Sequence, residues 1–93
     1  MATFRIAHNI RRVEYDAFRL ILKEDLEFPT AYSEWLNRTT EELKKRRAQG
    51  EVRQVTIHPQ EFANWCRHCG LNPRYEYLDA FAVTKAHRTG EGA

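Results

Sequence analysis

The stretch EVRQVTIHPQEF, residues 51–62, contains the signals for both a strand and a helix. Its first half is rich in β-branched residues, and Val55 and Ile57 alternate with polar neighbours, a pattern that predicts a half-buried strand. Pro59 suits the first position of a helix, and Ile57 and Phe62 are spaced to contact each other as a hydrophobic staple. Residues 51–62 therefore predict a strand that leads directly into a helix.

A second strand is predicted near the start of the chain, where Phe4, Ile6, His8 and Ile10 alternate with small or polar residues. We expect this segment to pair with residues 51–57. A sheet of two strands is marginal by itself, so helices must pack on it. A dimer that joins two such sheets through their edges would also relieve the exposure of the edge strands.

Two helical segments are predicted between the strands. In YDAFRLILKED, residues 15–25, Asp16 is a potential cap and Phe18 begins an apolar arc that Leu20 widens, so we expect this helix to be well buried. Residues 30–49 predict further helix that ends before Gly50. Thr39 and Glu42 have capping-box spacing, so this segment is either one long helix or two short ones.

After the second strand, the helix from Pro59 should end at Gly70, and a fourth helix should begin with Asn72 as its cap and bury Leu78, Phe81 and Ala82. The predicted fold is α+β, with a small two-stranded antiparallel sheet packed with three to four helices in the order β-α-α-β-α-α. Residues 1–88 are predicted to form a single compact domain, and residues 89–93 a flexible tail.

Bulk composition restricts the class of protein. The chain has 93 residues, 42% hydrophobic and 30% charged, values typical of a soluble globular domain. It has no run near the roughly 18 apolar residues of a membrane span. The first residues, MATFRIAHNIRR, carry charges where a secretory signal would be apolar, so we expect a cytoplasmic protein without membrane contact.

The stretch WCRHCG, residues 65–70, has the spacing of a metal or redox motif. At about 100° per residue, Cys66 and Cys69 lie on the same side of a helix while His68 points away, so these residues do not converge on one ion. The pair would also lie at the helix C-terminus, where the dipole disfavours thiolate. We therefore expect both cysteines to be core residues, and we expect no metal and no cofactor.

The net charge of +2 arises in the middle of the chain, which contains the run KKRR at residues 44–47. Such cations contact nucleic-acid phosphates, but they also complement a helix C-terminus and pair with nearby carboxylates. The candidate nucleic-acid contacts are Arg38, Lys44, Lys45, Arg46, Arg47 and Arg53.

Aromatic residues give the other candidate site. Tyrosine and tryptophan anchor protein interfaces, although they also line the edges of cores. The candidate protein-binding residues are Tyr32, Trp35, Tyr75 and Tyr77.

The chain lacks a glycine-rich phosphate loop and paired histidines at metal spacing, so we expect no enzyme, no catalytic residue and no small-molecule substrate. The prediction is a small interaction or regulatory module that binds another protein, or a second copy of itself, through a helical or aromatic surface. The alternative is a nucleic-acid-associated protein that uses the basic segment 38–53.

Overall fold

The computed structural model describes residues 4–89. Its strands are β1 (Phe4–Asn9) and β2 (Glu51–Thr56), and its helices are α1 (Tyr15–Ile21), α2 (Tyr32–Arg47), α3 (Pro59–His68) and α4 (Leu78–Thr89). Short 3-10 turns, Arg12–Glu14 and Tyr75–Tyr77, precede α1 and α4. The order therefore differs from the predicted β-α-α-β-α-α by these two turns.

The two strands pair with each other, but the predicted antiparallel sheet is wrong because they run parallel. The register aligns Phe4 with Glu51 and Asn9 with Thr56. The length of the segment between the two strands explains why they run parallel. Helix α2 has 16 residues, and at about 1.5 Å per residue it is longer than a strand of six residues. It returns the chain to the end of the sheet where β1 begins, so β2 starts beside Phe4.

Both faces of the sheet are covered, as is usual for parallel strands. Ala7 and Val52 lie on one face and form a small buried cluster with Leu43 of α2. Val55 lies on the opposite face, in the main core, which also contains Phe62 of α3. Helix α4 contributes Leu78, Phe81, Ala82 and Ala86 to this core, so the predicted buried face of the fourth helix is confirmed.

Helix α1 is shorter and less buried than predicted. It ends at Ile21, and it buries Tyr15 and Phe18. Leu20, which was expected to widen the buried arc, is 73% exposed. The helix carries apolar residues on two sides, and only one side contacts the core.

Residues 32–47 form one uninterrupted helix, which decides between the two alternatives for this segment. The buried residues of α2 are Trp35, Thr39 and Leu43, at the i, i+4, i+8 spacing of one helix face. The Thr39–Glu42 spacing therefore lies inside a helix and does not start one.

Helix α3 begins and ends where the sequence predicts. Pro59 is at its start, and both staple residues, Ile57 and Phe62, are fully buried. At its end, the Leu71 N–H donates to the Cys66 carbonyl at 2.8 Å, and Gly70 has a φ of 69°. This is the Schellman arrangement, in which glycine takes the left-handed position without strain.

The cysteines have different environments. Cys66 is buried in the main core as predicted, and burial raises the pKa of its thiol, with Cys69 adding to the effect. Cys69 is exposed, so its predicted core position is wrong. The helix ends at His68, and the chain leaves the apolar face at this residue. His68 is exposed, as expected.

We expect Cys66→Ala to lower the free energy of unfolding by about 1 kcal/mol, because it removes a buried sulfur and leaves a small cavity. Cys69→Ala is the matched control and should change stability by less than about 0.5 kcal/mol. Urea denaturation of the two variants compares them directly. Equal losses would contradict the different burial of the two thiols.

Helix α4 begins at Leu78 and not at Asn72, so the predicted cap is wrong. The cap function is long-range: the Asp25 carboxylate accepts the Tyr75 N–H at 2.7 Å, where the 3-10 turn begins. Thr89 ends α4, and the rest of the predicted tail 89–93 lies outside the described residues. Within residues 4–89, no helix is both long and apolar enough to span a bilayer.

Candidate functional site

A cleft of about 790 Å³ lies between α2, the loop at Asp25 and Glu27, and the segment 74–79. Ala7 and His8 of β1 also line it. The cleft contains a cluster of titratable groups, which makes it a candidate site.

His8 and Asp79 form the central contact of this cleft. The His8 backbone N–H lies on the edge of β1 that has no neighbouring strand, and it donates to Asp79 Oδ1 at 2.9 Å. The same oxygen is 2.7 Å from His8 Nδ1. One carboxylate from α4 therefore satisfies both a strand-edge amide and the imidazole ring.

Trp35 fixes the protonation of the His8 ring. The indole Nε1–H lies 3.1 Å from His8 Nε2, and an indole N–H can only donate. His8 Nε2 must therefore accept, so the proton is on Nδ1 and is donated to Asp79. His8 is buried, and both of its ring nitrogens have partners inside the protein.

Arg46 of α2 completes the network, with Nη2 3.1 Å from Asp79 Oδ2. Burial by itself raises the pKa of Asp79, but the hydrogen bonds from the His8 ring and backbone, together with electrostatic attraction by His8 and Arg46, lower that pKa well below its usual value. Asp79 is therefore an ionised, structural carboxylate that joins α4 to β1 and α2.

His8 and Arg46 are both engaged inside this network. A histidine that acts as a general base needs a free ring nitrogen facing substrate, and His8 Nε2 is occupied by the Trp35 N–H. Arg46 is likewise occupied by Asp79 and Glu42. The geometry supports a role in holding three elements together.

The rest of the cleft does not select a ligand charge. Of its charged lining, Lys45, Arg74, Asp25, Glu27 and Glu76 form no ion pair among the residues the structure describes. Asp25 already accepts the Tyr75 N–H, which leaves two cations against two carboxylates. The Thr39 hydroxyl is fully buried and has no hydrogen-bond partner within residues 4–89, although it is near enough to Tyr75 to lower the pKa of that phenol. Burial has the larger effect and raises the Tyr75 pKa overall.

The four candidate aromatic residues lie in the core and at its rim. Trp35 is 0% exposed and belongs to the main core. Tyr32, Tyr75 and Tyr77 are half-buried and pack against that core. Trp35 therefore presents no exposed surface in this structure, and its indole N–H donates to His8.

The six candidate nucleic-acid cations lie on α2 and β2, and most have carboxylate neighbours. Ion pairs connect Arg38 with Glu34, Lys44 with Glu41, Arg46 with Glu42 and Asp79, and Arg53 with Glu51. Arg53 also lies 4.0 Å over the Phe4 ring. Lys45 and Arg47 have no ion pair among the described residues. Two of the six therefore form no ion pair within residues 4–89.

An exposed apolar surface on α1 was missed by the sequence reasoning. Of the five large apolar side chains that are exposed in the described part of the chain, three lie within residues 13–26: Val13 at 79%, Leu20 at 73% and Leu26 at 96%. The 3-10 turn runs directly into α1, so Val13, Ala17 and Leu20 share one helix face at i, i+4, i+7 spacing. We call Val13, Ala17 and Leu20 the apolar stripe; Leu26 follows it in the next loop.

The charges around the apolar stripe are predominantly positive. Glu14 is held by His58, whose Nδ1 is 2.9 Å from Glu14 Oε1. The exposed charged residues of segment 11–24 are then Arg11, Arg12, Arg19 and Lys23 against Asp16 and Glu24. Asp16 in turn lies 3.9 Å from Arg19. An apolar face with a cationic border is therefore open to solvent.

Within residues 4–89, no group of three or more histidine, cysteine, aspartate or glutamate side chains is arranged to hold a metal ion. No family model, no curated protein and no solved structure matches this chain. The function must therefore be argued from the geometry of the chain itself.

Proposed function

We propose that this chain is a small, non-enzymatic interaction module that binds an acidic amphipathic helix of another protein through the apolar stripe. The observation that carries this proposal is the exposure of Val13, Leu20 and Leu26 within one short segment. The apolar stripe takes the place of the aromatic surface that the sequence favoured, because Trp35 is inside the core.

The physical argument rests on the cost of exposed apolar area. Burial of such area contributes about 25 cal/mol per Å², and neighbouring exposed apolar side chains mark interaction sites more often than isolated ones do. An amphipathic helix can place its own apolar face on a stripe with i, i+4, i+7 spacing. Acidic residues beside that face would meet Arg12, Arg19 and Lys23, which steers association and selects against basic partners.

A non-enzymatic role and a cytoplasmic location belong to the same proposal. The cleft holds a histidine whose acceptor nitrogen is already used, which argues against general-base chemistry there. The two cysteines are both free thiols, which suits a reducing compartment.

The experiment is a pull-down from native cells with nuclease treatment, using the wild-type chain and two variants. Leu20→Glu places a charge in the apolar stripe. Leu36→Glu makes the same change on an exposed leucine of α2, which is 43% exposed, and serves as the matched control. Circular dichroism checks that both variants are folded.

We expect a protein retained by the wild type and by Leu36→Glu to be lost with Leu20→Glu. Equal retention by Leu20→Glu, or no retained protein, would contradict the proposal. If the retained material is released by nuclease and by charge reversal at Lys45 and Arg47, the nucleic-acid alternative is favoured instead.

A further inference from the structure

The outer edge of β2 is identified by the hydrogen bonds to β1. The Ile57 N–H donates to the Asn9 carbonyl at 3.0 Å. Alternate residues of a parallel strand direct their backbone groups to the same side, so Arg53 and Val55 also face β1. The backbone groups of Val52 and Gln54 therefore point away from β1.

Most of these outward groups have no hydrogen-bond partner among residues 4–89. Lys85 Nζ donates to the Thr56 carbonyl at 2.9 Å, so the outward carbonyl at the C-terminal end of β2 already has a partner. The backbone groups of Val52 and Gln54 have no hydrogen-bond partner among residues 4–89. The outer edge of β1 differs, because Asp79 accepts its His8 N–H. Phe4 and Ile6 of β1 likewise have no outward hydrogen-bond partner among residues 4–89, but α4 packs more closely on β1 than on β2, so the outer edge of β2 is the less covered of the two.

We propose that two copies of the chain pair antiparallel through the outer edges of β2, with the two-fold axis at Val52. In this register the two Val52 residues form a hydrogen-bonded pair, in which the N–H of each copy donates to the carbonyl of the other. Such a pair requires the backbone groups of Val52 to point away from β1, and they do. Glu51 of each copy then faces Arg53 of the other in a non-hydrogen-bonded pair, where side chains approach most closely. The partner is a second copy, and the product is a four-stranded sheet.

The charge order of the strand selects this register. Glu51 and Arg53 flank Val52 on the same side of the strand. They form an ion pair at 3.1 Å within one chain and stay about half exposed, so each can also meet the opposite charge of a second copy. Antiparallel pairing about Val52 places opposite charges face to face twice. Pairing about Arg53 would instead oppose two arginines, which is unfavourable. An exposed edge normally carries charge to prevent association, whereas this charge pattern is self-complementary.

The pairing would also enlarge the sheet from two strands to four. A two-stranded sheet is marginally stable, and three or more strands are more stable. The pairing is independent of the proposed function, since β2 and the apolar stripe are different surfaces. Loss of dimerisation would leave binding at α1 unaffected, and the two proposals can fail separately.

The test is sedimentation equilibrium from micromolar to millimolar concentration, on the wild type, Glu51→Arg, Arg53→Glu and the double variant that exchanges the two charges. All substitutions are at exposed positions. We expect the wild type to dimerise, each single variant to dimerise at least about tenfold more weakly because like charges then face each other twice, and the double variant to recover dimerisation. Lys44→Glu, on α2, is the control and should dimerise like the wild type.

A wild type that stays monomeric over the whole range would overturn the proposal. So would single variants that dimerise as well as the wild type, or a double variant that fails to recover. Dimerisation that is lost in the control to the same degree would show a nonspecific charge effect and would also contradict the pairing.

Discussion

Trp35→Ala should lower the free energy of unfolding by about 4–8 kcal/mol, the largest single effect expected from this structure. Removing a fully buried tryptophan creates a large cavity, which costs about 3–5 kcal/mol. The change also leaves His8 Nε2 buried without a donor, which adds about 1–3 kcal/mol. Small domains have roughly 5–15 kcal/mol in total, so a large part of the population should unfold at 37 °C.

Trp35→Phe separates the two contributions. It keeps most of the apolar volume and removes the N–H donor, so it should cost less than the alanine variant but more than a surface change. Urea denaturation monitored by circular dichroism gives both values. A loss of under about 1 kcal/mol for Trp35→Ala would show that the indole is not packed as described.

Asp79→Ala should lower the free energy of unfolding by about 2–4 kcal/mol at pH 7. It leaves the His8 backbone N–H and the His8 Nδ1–H without their acceptor. It also removes the carboxylate that pairs with Arg46. Asp16→Ala, at a nearly fully exposed carboxylate on α1, is the control and should change stability little. Equal losses in the two variants would contradict the His8–Asp79 contact.

The pH dependence of this effect has a definite sign. The pKa of Asp79 is lowered in the folded state, so its contribution to stability is complete above the unfolded pKa near 4 and is lost as the pH falls toward the folded pKa. The stability difference between wild type and Asp79→Ala should therefore be largest at neutral pH and shrink below about pH 4. Denaturant titrations at neutral and acidic pH measure this difference.

The sequence predicted local elements better than their arrangement. The strand at residues 51–56 and the start of α3 carry local signals, namely β-branched alternation and Pro59 with its staple residues. No local pattern predicts whether β1 and β2 run parallel or antiparallel, because that depends on the lengths of α1 and α2, which connect them. The start of α4 could not be predicted for a similar reason, since Asp25 caps a turn that lies 50 residues away.

No sequence pattern predicted the contact between His8 and Asp79 at the candidate site. His8 and Asp79 are 71 residues apart, and neither lies in a recognisable motif. Periodicity showed that α1 is apolar, but it could not show which side of α1 contacts the core. Phe18 faces the core and Leu20 faces solvent, and the packing of the neighbouring elements sets this orientation of α1.

The most direct test of the proposed function is a nuclear magnetic resonance titration of the ¹⁵N-labelled chain with a synthetic amphipathic helix that has acidic flanks. A twin peptide with the same apolar face and basic flanks is the control. We predict amide shift changes concentrated in residues 11–26, and much weaker changes with the basic twin. Shifts that centre on the cleft or on β2, or equal binding of the two peptides, would contradict a cationic apolar stripe that receives an acidic helix.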